Sequence, residues 1–154
     1  MNDPRGHRVL PYHPDAYDEH FALRISVGLW LVMLYTVHPQ ILLLIVHLPQ
    51  SGAELDYLRG LVDGYALLAT VPAMLVLIAA VRRRPAAGAF LRGVWRLGPR
   101  LLVATLVVHL ARGVLDTHGL WTTLRIAADL LAAMVLFGVP RIRDTFADFP
   151  KPPL

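Results

Sequence analysis

Residues 25–53 read ISVGLWLVMLYTVHPQILLLIVHLPQSGA and carry no formal charge. A helix needs about 20 apolar residues to cross a bilayer, so this stretch sets a first membrane span over residues 21–48. Pro39 falls inside it. A proline removes an intrahelical N–H and crowds the preceding turn, which predicts a kink near Val37 and His38. Two short re-entrant helices are the alternative.

The rest of the chain repeats the pattern. Further spans are predicted over residues 57–81, 97–115 and 120–139, the second containing Pro72 and the third opening with Pro99 in its first turn, where proline is tolerated. Arg82-Arg83-Arg84-Pro85 stops the second span and Pro140 ends the fourth. Residues 85–96 read as a loop, and residues 1–20 and 141–154 as polar tails. Short connections favour an all-α, integral-membrane, four-helix bundle in up-down-up-down order.

Composition agrees. Of 154 residues, 56% are hydrophobic and 17% charged, with a net charge of +4 and a mean hydropathy of +0.52. Soluble domains average about 25% charged. There is no cysteine, which excludes a disulfide scaffold, cysteine zinc sites, iron–sulfur clusters and thiol nucleophiles. Residues 1–20 lack the apolar centre of a signal peptide. The arginines sit beside apolar runs rather than on a soluble basic face, so no nucleic-acid partner is expected.

Charge placement orients the chain. Arg82, Arg83, Arg84, Arg92 and Arg96 lie between spans two and three, and Arg141, Arg143 and Lys151 follow span four. By the positive-inside rule both termini are cytoplasmic. Trp95 and Trp121 are placed at opposite interfaces, as in an aromatic belt.

Ionisable groups inside membrane spans are expensive and usually face the interior. The candidates are Asp63, His109, Arg112, Arg125 and Asp129. Arg59/Asp63, Arg112/Asp116 and Arg125/Asp129 share an i, i+4 spacing that puts both members on one helix face. One reading is a polar cavity in the outer half that binds an anionic or zwitterionic ligand or relays protons. The other is a set of ion pairs that fix helix register. His38 and His109 fall at similar depth. Facing histidines can hold a haem, but His38 beside Pro39 is also placed to satisfy a freed carbonyl. Gly60 and Gly64 form a GxxxG that suits close helix packing or a homodimer. No catalytic, cofactor-binding or metal motif is present, so a non-enzymatic protein is expected, with the bilayer and a membrane protein or a second copy as partners. In the tail, Asp144 or Asp148 is placed to pair with Arg82–Arg84 and close the bundle.

Several stretches together resemble the YfeZ-like family of small bacterial inner-membrane proteins. They are Tyr17-Asp18-Glu19-His20, Leu29-Trp30 with Tyr35, Val71-Pro72, the arginine-rich loop, and the tail from Arg141 to Pro150. The resemblance implies a four-span inner-membrane protein. It brings no activity, cofactor or site residue.

Overall fold

The computed structural model describes residues 12–20, 22–46, 64–115 and 119–150. Among them the chain forms six α-helices and no strand: α1 (Val27–Thr36), α2 (His38–Val46), α3 (Gly64–Val81), α4 (Ala89–Leu115), α5 (Leu120–Gly138) and α6 (Pro140–Ala147). The second predicted span and its GxxxG both lie in part outside the described residues, since Gly60 falls outside them and Gly64 opens α3.

The first apolar run is helical only from Val27. Residues 22–26 are not helical, and the Ser26 hydroxyl caps α1 by accepting from the Leu29 N–H. The kink is a complete break. Val37 leaves the helix with φ −101° and ψ 4°, and α2 starts at the next residue. Pro39 has no N–H to give the Tyr35 carbonyl four residues back. The His38 ring takes that place, with Nδ1 2.6 Å from the Tyr35 oxygen.

Contacts fix the helix directions. His109 approaches Asp129, while Trp95 meets Thr145 and Phe146, so α4 and α5–α6 run antiparallel. Tyr35 meets Asp129 and Gly28 meets Val135, which makes α1 antiparallel to α5. Gln40 reaches Leu67, while Arg83 reaches Leu23, which does the same for the first column and α3. α3 also packs against α4.

The third helix begins at Ala89 rather than at residue 97, about two turns earlier than expected. Arginine content suggested a loop there. However, Val94, Trp95, Gly98, Leu102, Leu106 and His109 recur at three- and four-residue intervals and are buried on one face. That stripe extends the helix through Pro99, which therefore lies inside α4 and not in its first turn. Trp95 is fully buried and is no interfacial belt residue.

The end of the molecule at Arg83 is closed by a folded cap, where polar tails were expected. Residues 14–16 form a 3₁₀ turn, and Tyr17 and Leu23 form an antiparallel bridge. Asp18 accepts from the His20 and Ala22 N–H groups. α6 turns back 68° from the axis of α5. The Arg83 guanidinium donates to the Leu23 carbonyl at 2.6 Å and the Asp148 carbonyl at 2.5 Å, and lies 5.1 Å from the Trp95 ring. The closure predicted between the tail and Arg82–Arg84 thus forms through Arg83 and a backbone carbonyl. The Asp148 carboxylate accepts from the Leu23 N–H instead. Burial pulls Arg83 below the usual guanidinium range, against the opposing pull of Asp18 and Asp148. The Trp95 N–H donates to the Thr145 carbonyl, and its ring packs on Phe146 at 4.7 Å.

Large apolar side chains also cover the outside. Leu44, Leu68, Phe90, Val107, Leu131 and Phe137 are all exposed. Among the described residues, Ala89–Leu115 alone is long and apolar enough to cross a membrane as one helix, and only 33% of its apolar window is buried. Thr122–Gly138 with Pro140–Ala147 passes as a bent pair, and Val27–Thr36 and Leu67–Val81 are shorter apolar helices.

Candidate functional site

About 20 Å along α4 from Trp95, at 1.5 Å per residue, the interior turns polar. His109 projects from the buried face of α4, Asp129 from α5, and the α1–α2 break delivers Tyr35 and His38. Asp129 and His109 are 2% and 4% exposed.

The Tyr35 hydroxyl donates to Asp129 Oδ1 at 2.8 Å. His109 Nδ1 lies 3.7 Å from the same oxygen, too far for a hydrogen bond. The His38 and His109 rings meet edge to face at 6.2 Å, and the Tyr35 and His38 rings stack at 5.5 Å. A carbonyl only accepts, so His38 Nδ1 carries its proton toward Tyr35 and leaves Nε2 as the basic atom. Four exchangeable groups from four helices therefore form a closed ring of contacts. Asp129 Oδ2 is buried and has no hydrogen-bond partner.

Of the five candidates, the structure brings His109, Arg125 and Asp129 together. Asp63 lies outside the described residues. Arg112 lines a separate groove of ≈ 450 Å³ with Leu68, Ala69 and Val108, between α3 and α4. The i, i+4 pair Arg125/Asp129 does not close as an ion pair. Arg125 donates to the His109 carbonyl at 3.4 Å across the helix interface, and the tyrosine takes the Asp129 oxygen in its place. Arg59/Asp63 and the Asp116 member of Arg112/Asp116 fall outside the described residues.

Tyr35 is a site residue that the sequence pattern does not expose. The available signal was its position three residues before His38, beside a proline that frees its carbonyl. A tyrosine in an apolar run is ordinarily a packing residue, and nothing in the spacing points it at a residue 94 positions away. A second polar contact lies one turn further along the first column. Gln40 donates to the Leu67 carbonyl at 3.1 Å and to the Thr70 hydroxyl. Among the described residues there is no group of three or more His, Asp or Glu side chains arranged to hold a metal ion.

No curated protein and no solved structure matches the chain. A family model described as protein of unknown function (DUF2919) matches residues 12–148. Its bounds take in both the cap, from Tyr12 to Asp148, and the Tyr35–Asp129 cluster, so the chain belongs to that family.

Proposed function

We propose that the protein is a four-span bundle of the bacterial inner membrane, with both termini in the cytoplasm, acting as a non-enzymatic accessory or interaction subunit. The observation that carries the membrane reading is the apolar exterior. α4 keeps two thirds of its apolar window outside the protein interior, whereas the core helix of a soluble protein would bury it. Lengths support four crossings. At 1.5 Å per residue, α3 with 18 residues and α5 with 19 each span close to the roughly 30 Å hydrocarbon thickness. So does the column formed by α1, Val37 and α2. The break at Val37 divides that first column, which is why neither half is long enough alone. The narrower affinity with YfeZ-like proteins belongs to this proposal as well.

The accessory role rests on the lack of any catalytic motif and on the folded cap, which offers a defined surface where loose tails would offer none. Two measurements test the proposal. The protein should stay in the membrane pellet after alkaline extraction, and reporter fusions at both ends should read cytoplasmic. Native mass spectrometry after gentle extraction should then show a stoichiometric protein partner. Release by alkali sinks the membrane reading. A chain that reconstitutes alone with full function sinks the accessory role.

A second reading is a small carrier or sensor working through the polar cluster. It is favoured by the unpartnered Asp129 Oδ2, since a buried carboxylate oxygen without a donor costs stability and a functional role would account for its retention. This reading expects Asp129→Asn to abolish function while the folded yield holds.

A further inference from the structure

We propose that the outward face of α4 formed by Arg92, Arg96 and Arg100 binds the phosphate headgroups of anionic phospholipids, with Phe90 and Leu97 against their acyl chains. This rests on the membrane reading above. The three arginines recur every four residues, so they form one shallow stripe along the helix. All three are exposed, and Val94, Trp95, Gly98 and Leu102 occupy the opposite, buried face. Phe90 and Leu97, seven residues apart, form a parallel apolar stripe, 71% and 47% exposed. Between the two, a side chain built on Gly93 would meet nothing within 4 Å, so the surface there is open.

Depth agrees. α4 has 27 residues, about 40 Å of helix against a hydrocarbon core of about 30 Å. Roughly the first two turns therefore stand in the headgroup layer. Helical side chains lean toward the helix N-terminus, which here is the arginine end. Arg92 and Arg96 lie at headgroup level, and the long Arg100 side chain reaches it from one turn deeper.

Charge decides the lipid class. At this end Asp15 and Glu19 lie beside His13 and His20 at 3.2 and 3.7 Å, and the other three carboxylates are engaged. Asp18 and Asp148 accept backbone N–H groups and Asp144 accepts from the Tyr12 hydroxyl at 2.6 Å. Among the described residues no carboxylate pairs with Arg92, Arg96 or Arg100, and the one bond from this stripe runs from Arg92 Nε to the Ala87 carbonyl at 3.1 Å. A stripe of three uncompensated cations favours a net-negative headgroup over a zwitterionic one that carries its own ammonium.

The test is native mass spectrometry of the delipidated full-length protein with phosphatidylglycerol or phosphatidylcholine of identical acyl chains. Wild type should retain phosphatidylglycerol at least about tenfold better. Each arginine near an anionic surface contributes about fivefold, so Arg92→Gln/Arg96→Gln/Arg100→Gln should lose most of that preference. Arg24→Gln/Arg143→Gln, which removes exposed charge elsewhere at the same end, should keep it. Should the triple variant fail to fold, Arg96→Gln alone should show about a fivefold loss. Equal retention of the two lipids overturns the proposal. So does equal loss in the two multiple variants, which would mean diffuse charge. Displacement of phosphatidylglycerol by millimolar inorganic phosphate overturns it too, since the site would then take the free anion. Lipid indifference in a protein that still resists alkaline extraction leaves the membrane reading standing and removes only the stripe.

Discussion

Arg83 and Asp129 are both charged groups brought into the helical core, and α4 carries a partner for each. Arg83 reaches two backbone carbonyls and the face of Trp95, so its charge ties the N-terminal segment, α6 and α4 together. Only its Nε lacks a partner. Asp129, in the far half, has one tyrosine hydroxyl on one oxygen and nothing on the other. In the cap, charge is spent on holding segments in place. In the cluster, a carboxyl group that is 2% exposed has a single hydroxyl donor and lies beside two imidazoles. The difference separates a region whose hydrogen bonds tie segments together from one that leaves a buried carboxylate oxygen without a donor.

The sharpest way to break this contrast is to compare Trp95→Ala with Asp129→Asn in the same unfolding assay. Trp95 is fully buried, gives its N–H to Thr145 and packs on Phe146. Its truncation should cost about 3–5 kcal/mol. Asp129→Asn keeps an oxygen for Tyr35 and removes the buried charge, so it should cost at most about 1 kcal/mol. Equal losses would make the cluster as structural as the cap.

Gly98 sharpens the cap side. A Cβ built there would collide with Phe146 Cε1, and Phe146 is 4% exposed and packed on Trp95 of the same helix as Gly98. Gly98→Ala should therefore cost about 1–3 kcal/mol by overpacking. Phe146→Leu in the same chain should recover part of that loss. A double-mutant cycle with no coupling would show that α6 does not seat on α4 as described.

Within the cluster, Tyr35→Phe leaves both Asp129 oxygens without a hydroxyl donor. It should destabilise by about 1–3 kcal/mol, more than Asp129→Asn. The double variant Tyr35→Phe/Asp129→Leu, with neither polar group left, should recover most of it. If Asp129→Asn proves the costlier single change, the carboxylate is held by groups other than Tyr35.

These regions were not equally legible in the sequence. Apolar length marked the helical columns, and Pro39 marked the break, because both act locally. The limits of α5 were visible for the same reason. The early start of α4 is also written in the spacing of Val94, Trp95, Gly98 and Leu102, although Arg92 and Arg96 give the same stretch the composition of a loop. Ser26 caps α1 in the structure at a position that its place before an apolar run would allow. Nothing local distinguishes the inward Arg83 from the outward Arg82 and Arg84. That choice is made by carbonyls of Leu23 and Asp148, 60 and 65 residues away. Charges inside apolar runs pointed to His109, Arg125 and Asp129. His38 was legible beside Pro39 and at the depth of His109, whereas Tyr35 is brought to Asp129 only by tertiary packing.

The smallest expected effect lies at the edge of the cap and is read through pH. The Tyr12 hydroxyl is held above the usual phenol range, chiefly because it donates to Asp144, with burial and the Asp144 charge acting in the same direction. A group whose folded-state value is raised adds stability below its unfolded value, and that contribution is lost as pH rises through the folded value. For Tyr12 the contribution is therefore present below about pH 10 and disappears above it. Deprotonation would set a phenolate against a carboxylate, and the segment from Tyr12 to the Tyr17–Leu23 bridge should loosen first. Hydrogen exchange of the Ala16 and Tyr17 amides, which bond to His13 and Pro14, reports this once the intrinsic base-catalysed rate is divided out. Protection should fall above about pH 10 in wild type while amides of the Trp95 turn stay protected. Tyr12→Phe should show a small, pH-independent loss. An identical high-pH fall in Tyr12→Phe would assign it to another group, and a simultaneous fall at Trp95 would mean that the cap opens as one unit with the core.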